Sequence, residues 1–436
     1  MLNKLTFYYS GILVVFLMLT GCQPKVYLMP PPIGIQSDGV LFELTEGSTD
    51  ENLLYTLYAT NRQPVETNNK SDHYTIFPSD VLKLGFVVHR VGEGEMSWNE
   101  IYKESLKTKR SKELLLTRVY AREVVTYDIK DDLTKTSAQE DGFFMRINEL
   151  LDKSIDKDIL IYAHGANSNF YRATAQGAQL HHFTGHNSVV LSFSWPSAEN
   201  IFRYKTDVLH AKQTVPAFAR LVELLANHTK AKHINILAYS AGAQVVTPAL
   251  ALFEDIYPDM SKEDLKKKLR IGEVYFAAPD TAFKPFAQRY MKFKDIVERT
   301  TVNINQNDSV LRFSAFENGM SRLGRPDFSE VTEEELNILI EASRTSEFDL
   351  LDVSGSEVLD IGGAHDSWYN NTWVSSDVLM LLLFNASPLE RGLVEHWYSD
   401  RSRGYRFPSD YDIRLHDIVT GHREELFEKL KSEGRD

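Results

Sequence analysis

The middle of the chain alternates between two hydrophobic periods. Short apolar runs rich in Val, Ile and Leu are typical of strands buried on both faces, and apolar residues at every third or fourth position between them indicate helices. The predicted strands are 158–163, 188–194, 233–239, 271–277, 300–304 and 357–361, and the predicted helices are 143–151, 169–182 and 204–227. This alternation predicts an α/β fold with a doubly wound, mostly parallel sheet.

The two ends of the chain differ from this pattern. Strand-like segments at 53–60, 82–91 and within 113–129 predict a strand-rich amino-terminal portion. Segment 415–431 carries scattered apolar residues among many charges, which favours a helix packed on the body. Length and 43% hydrophobic content fit one large domain at 51–436 with a carboxyl-terminal helical extension.

A serine stands where a predicted strand passes into a helix. Ser240 follows strand 233–239 and is flanked, two residues away on each side, by the small residues Ala238 and Gly242. A tight strand-to-helix turn tolerates only small side chains at these positions, and such a turn exposes the serine hydroxyl as a nucleophile. The pattern therefore predicts that Ser240 is a catalytic nucleophile.

A serine nucleophile requires a base and an acid that orients the base. His365 is the predicted base, because it follows the last predicted strand through two glycines. The acid is open among Asp308, Asp280 and Asp366, which all lie near strand ends or near the base. Asp308 is preferred, and it could also cap a helix that begins at residue 309.

Two backbone amides are candidates for binding a developing oxyanion. Ala241 follows the nucleophile at the start of a helix, and Ala166 follows Gly165 in the loop after strand 158–163. Both loops lie at the carboxyl edge of the predicted sheet, where catalytic groups of such sheets collect.

Six motifs in order resemble one known family. They are Tyr58-Ala59-Thr60-Asn61-Arg62, His164-Gly165-x-Asn167, Phe193-Ser194-Trp195-Pro196-Ser197, Ala238-Tyr239-Ser240-Ala241-Gly242, Ala277-Ala278-Pro279-Asp280 and Asn307-Asp308. Together they resemble the bacterial α/β hydrolases of unknown function in the esterase/lipase superfamily. The resemblance implies an α/β-hydrolase fold and a triad of Ser240, Asp308 and His365. Ala238 departs from the superfamily's usual glycine by one methyl group.

Other chemistry finds little support in the sequence. Glycine-rich phosphate loops are missing after the predicted strands, so no nucleotide cofactor is expected. His181, His182 and His186 have spacing that could suit a metal, yet no carboxylate cluster accompanies them, and no metal is expected. The net charge of −13 argues against a nucleic-acid partner.

The amino terminus resembles the lipobox of bacterial lipoproteins. An apolar run at 7–19 ends in Leu19-Thr20-Gly21-Cys22, and Cys22 is the only cysteine in the chain. The resemblance implies a signal peptide at 1–21 and a lipidated Cys22 anchoring the protein to the membrane of a bacterial envelope. Gln23, in place of an aspartate, resembles the outer-membrane sorting signal, should the cell have that membrane. Region 22–50 is expected to hold a stiff, proline-rich linker around residues 29–34.

The sequence thus predicts a membrane-anchored serine hydrolase that acts on a small-molecule or lipid ester. The alternative hypothesis is a non-catalytic envelope lipoprotein that uses the same scaffold to bind a partner or a lipid.

Overall fold

The computed structural model describes residues 25–33, 52–65, 74–94, 96–130, 138–154, 157–200, 203–345, 347–354, 364–398 and 402–432, with the backbone alone at 138–141 and 422–432. The strands in these ranges are β1 Leu53–Pro64, β2 Tyr74–Val91, β3 Leu116–Asp128, β4 Ile159–Ala163, β5 Val189–Phe193, β6 Ile234–Tyr239, β7 Ile271–Ala277, β8 Val297–Ile304, β9 Phe348–Asp352, β10 Val394–Trp397 and β11 Arg403–Arg406. The helices are α1 Trp98–Ser105, α2 Ala138–Lys153, α3 Phe170–Phe183, α4 Tyr204–His228, α5 Ala243–Ile256, α6 Lys262–Leu269, α7 Phe283–Phe293, α8 Ser309–Asn318, α9 Glu333–Arg344, α10 Ser367–Asn370, α11 Thr372–Phe384 and α12 Tyr411–Ser432.

All of these strands belong to one sheet in the order β10-β11-β9-β8-β7-β6-β4-β5-β1-β2-β3. Neighbours from β11 through β1 pair in parallel. At one edge β2 and β3 continue the sheet as antiparallel strands, and at the other edge β10 does the same. The predicted α/β class and mostly parallel sheet are therefore confirmed.

Helices cover both faces of the sheet, because residues of the central strands are apolar on both sides. In β4, Ile159, Ile161 and Ala163 pack into a core shared with α2, α4, α5 and α7. Leu160 and Tyr162 point to the opposite core, which is shared with α3 and α11. This double burial explains why the central strands are uninterrupted apolar runs in the sequence.

The chain reverses its direction of winding at β4. It passes from β4 through α3 to β5 on one side, and then through α4 to β6, which pairs with the other side of β4. The carboxyl ends of β4 and β6 are therefore neighbours at a topological switch point. Switch points of this kind form the crevices in which open α/β sheets bind ligands.

Most predicted elements of the central region agree with the structure to within five residues at each end. Helix α4 runs through Pro216 as one element. Strand β9 and the β10–β11 pair were not predicted, and the predicted strand 357–361 lies outside the described residues. Short, half-exposed strands such as β10 carry too few apolar positions to stand out in a sequence.

Residues 25–33, the described part of the expected linker region 22–50, pack on the body instead of standing apart from it. Val26, Leu28 and Met29 are buried in the core on the α3 side of the sheet. The amide of Leu28 donates to the carbonyl of Leu114 at 2.7 Å, and the amide of Ile33 donates to Ser376 Oγ at 2.8 Å. Apolar residues interleaved with the prolines make this segment part of the body. Cys22 lies outside the described residues. Among the helices of the described part of the chain, none combines the length and the apolar character of a membrane span.

The three histidines considered as metal ligands form a group beside α1, in which His181 and His182 are buried and His186 is half-buried. The rings of His181 and His186 stack with centroids 5.0 Å apart, and His182 Nε2 lies 2.9 Å from Ser105 Oγ. Burial lowers the pKa of His181 to about 4 and that of His182 to about 3, and it lowers the pKa of His186 well below its usual value. The group is therefore neutral in the folded protein near pH 7.

We predict that this group makes the protein sensitive to acid. An unfolded histidine binds a proton below about pH 6.5, whereas folded His182 does so only near pH 3. Stability is therefore complete above pH 6.5 and falls as the pH drops, by about 1.4 kcal/mol per pH unit for each such histidine. His182→Gln can keep a hydrogen bond to Ser105 without titrating, so guanidinium unfolding between pH 7 and 4 should show a shallower loss.

The matched control is His416→Gln, which changes an exposed histidine of α12 and should leave the pH dependence of unfolding as it is. An unchanged slope in His182→Gln would contradict the prediction.

Candidate active site

The turn after β6 has a left-handed backbone at Ser240. Its φ of 51° is unusual for a residue with a side chain and costs about 1–2 kcal/mol. The turn Ser240–Gly242 is a single 3-10 turn, and α5 begins at Ala243. This geometry lifts the serine out of the strand and points its hydroxyl away from the core, as expected for a nucleophile elbow.

Gly242 is required by the same turn. A Cβ atom at this position would lie 2.5 Å from the carbonyl oxygen of Ala163 and 2.8 Å from that of His164. Both distances are far shorter than a carbon–oxygen contact allows, and the neighbours are backbone atoms that cannot rotate away. The small residue noted in the sequence is therefore explained by the close approach of α5 to the end of β4.

We predict that Gly242→Ala lowers the free energy of unfolding by about 1–3 kcal/mol, the usual cost of overpacking a core. The control is Gly142→Ala in α2, where an added Cβ meets nothing within 4 Å. That change should be neutral or stabilise the protein by up to about 1 kcal/mol. Denaturant unfolding measures both, and equal values for the two variants would contradict the packing argument.

Ser240, His365 and Asp308 are brought together in one hydrogen-bonded chain. His365 Nε2 lies 2.7 Å from Ser240 Oγ, and His365 Nδ1 lies 2.8 Å from Asp308 Oδ2. A carboxylate only accepts hydrogen bonds, so Nδ1 carries the proton and Nε2 is free to accept from the serine hydroxyl. Asp308 is fully buried, whereas His365 is partly exposed and Ser240 is 7% exposed.

Asp308 holds two partners at once. Its Oδ1 accepts from the amide of Leu311 at 2.9 Å and so caps α8, while its Oδ2 accepts from His365. The capping role considered in the sequence analysis and the role beside the histidine therefore do not exclude each other. Instead, the cap fixes the rotation of the carboxylate that faces the imidazole.

The other two acid candidates are engaged elsewhere. Asp280 forms a buried ion pair with Arg322 and accepts from Ser314 Oγ at 2.7 Å. Its amide donates to the carbonyl of Ser240 at 2.9 Å, which supports the turn from below. Asp366 accepts a hydrogen bond from the side chain of Asn370 in α10.

The two predicted oxyanion donors belong to the serine turn and to the loop after β4, which packs against that turn. Ala241 is the second residue of the helical turn Ser240–Gly242, and amides at the start of such a turn have no partner within the helix. Gly165 packs directly on Ser240, since a Cβ there would lie 3.0 Å from Ser240 Cβ, and Ala166 is the next residue. The loop after β4 is thus next to the hydroxyl, as its place at the switch point predicts.

His164 is a residue of this loop to which the sequence analysis assigned no role. It is fully buried and its ring stacks on Trp195, with centroids 5.1 Å apart and an angle of 6° between planes. Trp195 Nε1 donates to the carbonyl of His164 at 2.6 Å. Burial lowers the pKa of His164 to about 3, so it is neutral and shapes the loop, and it is not a second base. The only sign of this role in the sequence is that His164 and Trp195 follow the ends of two strands, β4 and β5.

Among the residues that the structure describes, no group of three or more His, Cys, Asp or Glu side chains could hold a metal ion.

The sheet order, the serine turn after β6 and the helices on both faces define this chain as an α/β hydrolase. A family model described as alpha/beta hydrolase of unknown function (DUF900) matches residues 139–372, more than half of the chain. The chain belongs to this family, in agreement with the resemblance seen in the sequence.

Two solved structures share a more distant likeness with the chain. Esterase 2 of Thermogutta terrifontis, phosphoramylated by tabun, is 12% identical, with a TM-score of 0.31 over 53% of this chain and 82% of that one. Esterase B from Lactobacillus rhamnosis, inhibited by a tributyrin phosphonate, is 9% identical, with a TM-score of 0.26 over 65% of this chain and 81% of that one. A search of curated protein sequences finds none that matches.

Proposed function

We propose that the protein is a serine hydrolase that cleaves carboxylic esters through an acyl-enzyme. The observation that carries the proposal is the chain of hydrogen bonds from Ser240 Oγ through His365 to Asp308, at 2.7 Å and 2.8 Å. These distances are short enough for proton transfer from the hydroxyl to the imidazole as the serine attacks.

Each residue has one task in the proposed reaction. Ser240 Oγ bonds to the acyl carbon while its proton passes to His365 Nε2, and Asp308 stabilises the imidazolium that forms. The amides of Ala166 and Ala241 donate to the oxyanion. The alcohol leaves with the proton from His365, water then attacks the acyl carbon through the same histidine, and the acid departs as Ser240 regains its proton.

Exposed apolar side chains on the helix that follows Asp308 support a substrate with an apolar chain, either a small ester or a lipid. Helix α8 begins directly after Asp308, and Val310, Phe313 and Phe316 of this helix are 41%, 61% and 82% exposed. Large exposed aromatic residues in one helix are uncommon on a surface that binds nothing.

We predict that the full chain hydrolyses p-nitrophenyl esters, with a higher kcat/KM for butyrate and octanoate than for acetate. Ser240→Ala should lower kcat by at least about a thousandfold, and Asp308→Asn by about a hundredfold or more, because the amide no longer fixes the proton on Nδ1. Steady-state kinetics at pH 8 measure both effects.

The control for Asp308→Asn is Asp327→Asn, which changes an exposed carboxylate that likewise accepts a backbone amide at the start of a helical turn. It should leave kcat unchanged. Full activity in Ser240→Ala would overturn the proposed reaction, and a folded chain that cleaves no ester would favour the binding scaffold.

The proposed location is the bacterial envelope, with the protein held by acyl chains on Cys22 and in the outer membrane if the cell has one. The lipobox-like end of the apolar run supports this proposal. A single acyl chain binds membranes only marginally, so more than one would be needed for a stable anchor.

We predict that the full chain expressed in a bacterium incorporates labelled palmitate and loses residues 1–21. Cys22→Ala should abolish the label and leave the chain uncut, because Cys22 carries the only thiol in the chain. The neighbouring change Gln23→Asn should keep both the label and the cleavage. Mass spectrometry and palmitate labelling measure this outcome. Equal labelling of Cys22→Ala would contradict the anchor.

A further inference from the structure

The loop that carries Ala166 is tied down by buried side chains from other elements. Asn167 has a left-handed backbone, with φ of 54°, directly after Ala166. The next residue, Ser168, is buried, and its carbonyl accepts from Arg62 Nη2 at 2.7 Å and from Ser197 Oγ at 2.6 Å. The amide of Ser168 donates to Ser197 Oγ at 3.0 Å. Arg62 and Ser197 thus hold this stretch from the ends of β1 and β5.

Arg62 is an unusual residue for the interior of a protein. It lies in β1 and is fully buried, and its Nη1 also donates to the carbonyl of Thr75 at 3.2 Å. Burying a guanidinium costs several kcal/mol unless negative charge and hydrogen bonds compensate it. Glu199 lies 3.9 Å from Nη1, and Asp207 adds a second negative charge nearby.

Asp207 connects two loops through its carboxylate. It lies in the first turn of α4 and is 1% exposed. Its Oδ2 accepts from the amide of Asn167 at 3.3 Å, and its Oδ1 accepts from the amide of Ala198. Glu199, the neighbour of Ala198, is left-handed with φ of 54°. One carboxylate oxygen therefore binds the left-handed residue Asn167, and the other binds Ala198, which precedes the left-handed residue Glu199.

We infer that Arg62, Asp207 and Ser197 are positioning residues that fix the Ala166 amide in the orientation that binds the oxyanion. The inference rests on the proposed hydrolase function. Ala166 lies between Gly165, which packs on Ser240, and Asn167, which is tied to Asp207. With both neighbours fixed, the amide is oriented before substrate arrives, and preorganisation of this kind is what makes an oxyanion donor effective.

The network also gives the proposed activity a dependence on pH. The charged groups that act on Asp207 are Arg62 and Arg203. Arg62 in turn has Glu199, His164 and His210 near it. Burial raises the pKa of Asp207 to about 6, although two backbone amides and Arg62 oppose the rise. The Asp207 carboxylate is therefore negatively charged above about pH 6. As the pH falls below that value, the carboxylate takes up a proton in the folded chain and its negative charge is lost.

The test measures kcat and KM for p-nitrophenyl butyrate between pH 5 and 8 in the full chain. Asp207→Asn should lower kcat at pH 8 by about 10- to 100-fold with KM changed less than about threefold, because an oxyanion donor acts mainly in the transition state. The fall of kcat at acid pH should also depend on one protonation fewer than in the wild type, since the amide of Asn does not titrate.

Ser197→Ala provides a second variant that removes a tether without changing buried charge. It should lower kcat by about 3- to 10-fold, again with KM nearly constant. The matched control is Asp158→Asn, a buried carboxylate just before β4, at the opposite end of that strand from the loop, which accepts from the amide of His233 at 2.8 Å. This control should keep the wild-type kcat and the wild-type acid limb.

The outcomes separate this inference from the function on which it rests. If the wild-type chain cleaves the ester and both Asp207→Asn and Ser197→Ala stay within twofold of its kcat, the positioning role is wrong and the hydrolase stands. An equal loss in Asp158→Asn would also overturn the positioning role. If the folded wild-type chain cleaves no ester, the proposed function itself fails.

Discussion

The close contact between the turn after β6 and the end of β4 is the constraint on which the site depends. Gly242 lies so near the carbonyl oxygens of Ala163 and His164 that no side chain fits between them. This contact sets the left-handed conformation of Ser240 beside the loop of Ala166. Backbone packing alone thereby places Ser240 against the loop that carries Ala166. The packing of the surrounding core offsets the conformational free energy that the left-handed backbone of Ser240 costs.

Much of this arrangement follows from local patterns in the sequence. Strands buried on both faces are continuous apolar runs, so β4 to β7 could be located and their carboxyl ends compared. The small residues around Ser240 signal the tight turn because their cause lies within a few residues. His365 could be proposed from chain order and its glycines alone, and the structure brings it to Ser240.

Other features depend on contacts between distant segments, and no local pattern reveals them. Asp280 and Asp308 both follow strands. Only the fold shows that Asp280 pairs with Arg322 while Asp308 accepts a hydrogen bond from His365. The prolines at 30–32 indicate an extended chain but not whether it lies free, and the buried Leu28 decides the question. Likewise, Arg62 reaches a loop about a hundred residues away, which no spacing in the sequence announces.

Covalent labelling tests directly whether Ser240 is an activated nucleophile, and it does so without knowledge of the natural substrate. A fluorophosphonate probe is added to the folded full chain and to a folded His365→Ala variant, and the modified residue is located by mass spectrometry. An activated Ser240 should give one adduct, on Ser240, that forms in the wild type and is lost in the variant. Absence of an adduct on the folded wild type, or equal labelling of the variant, would contradict this expectation.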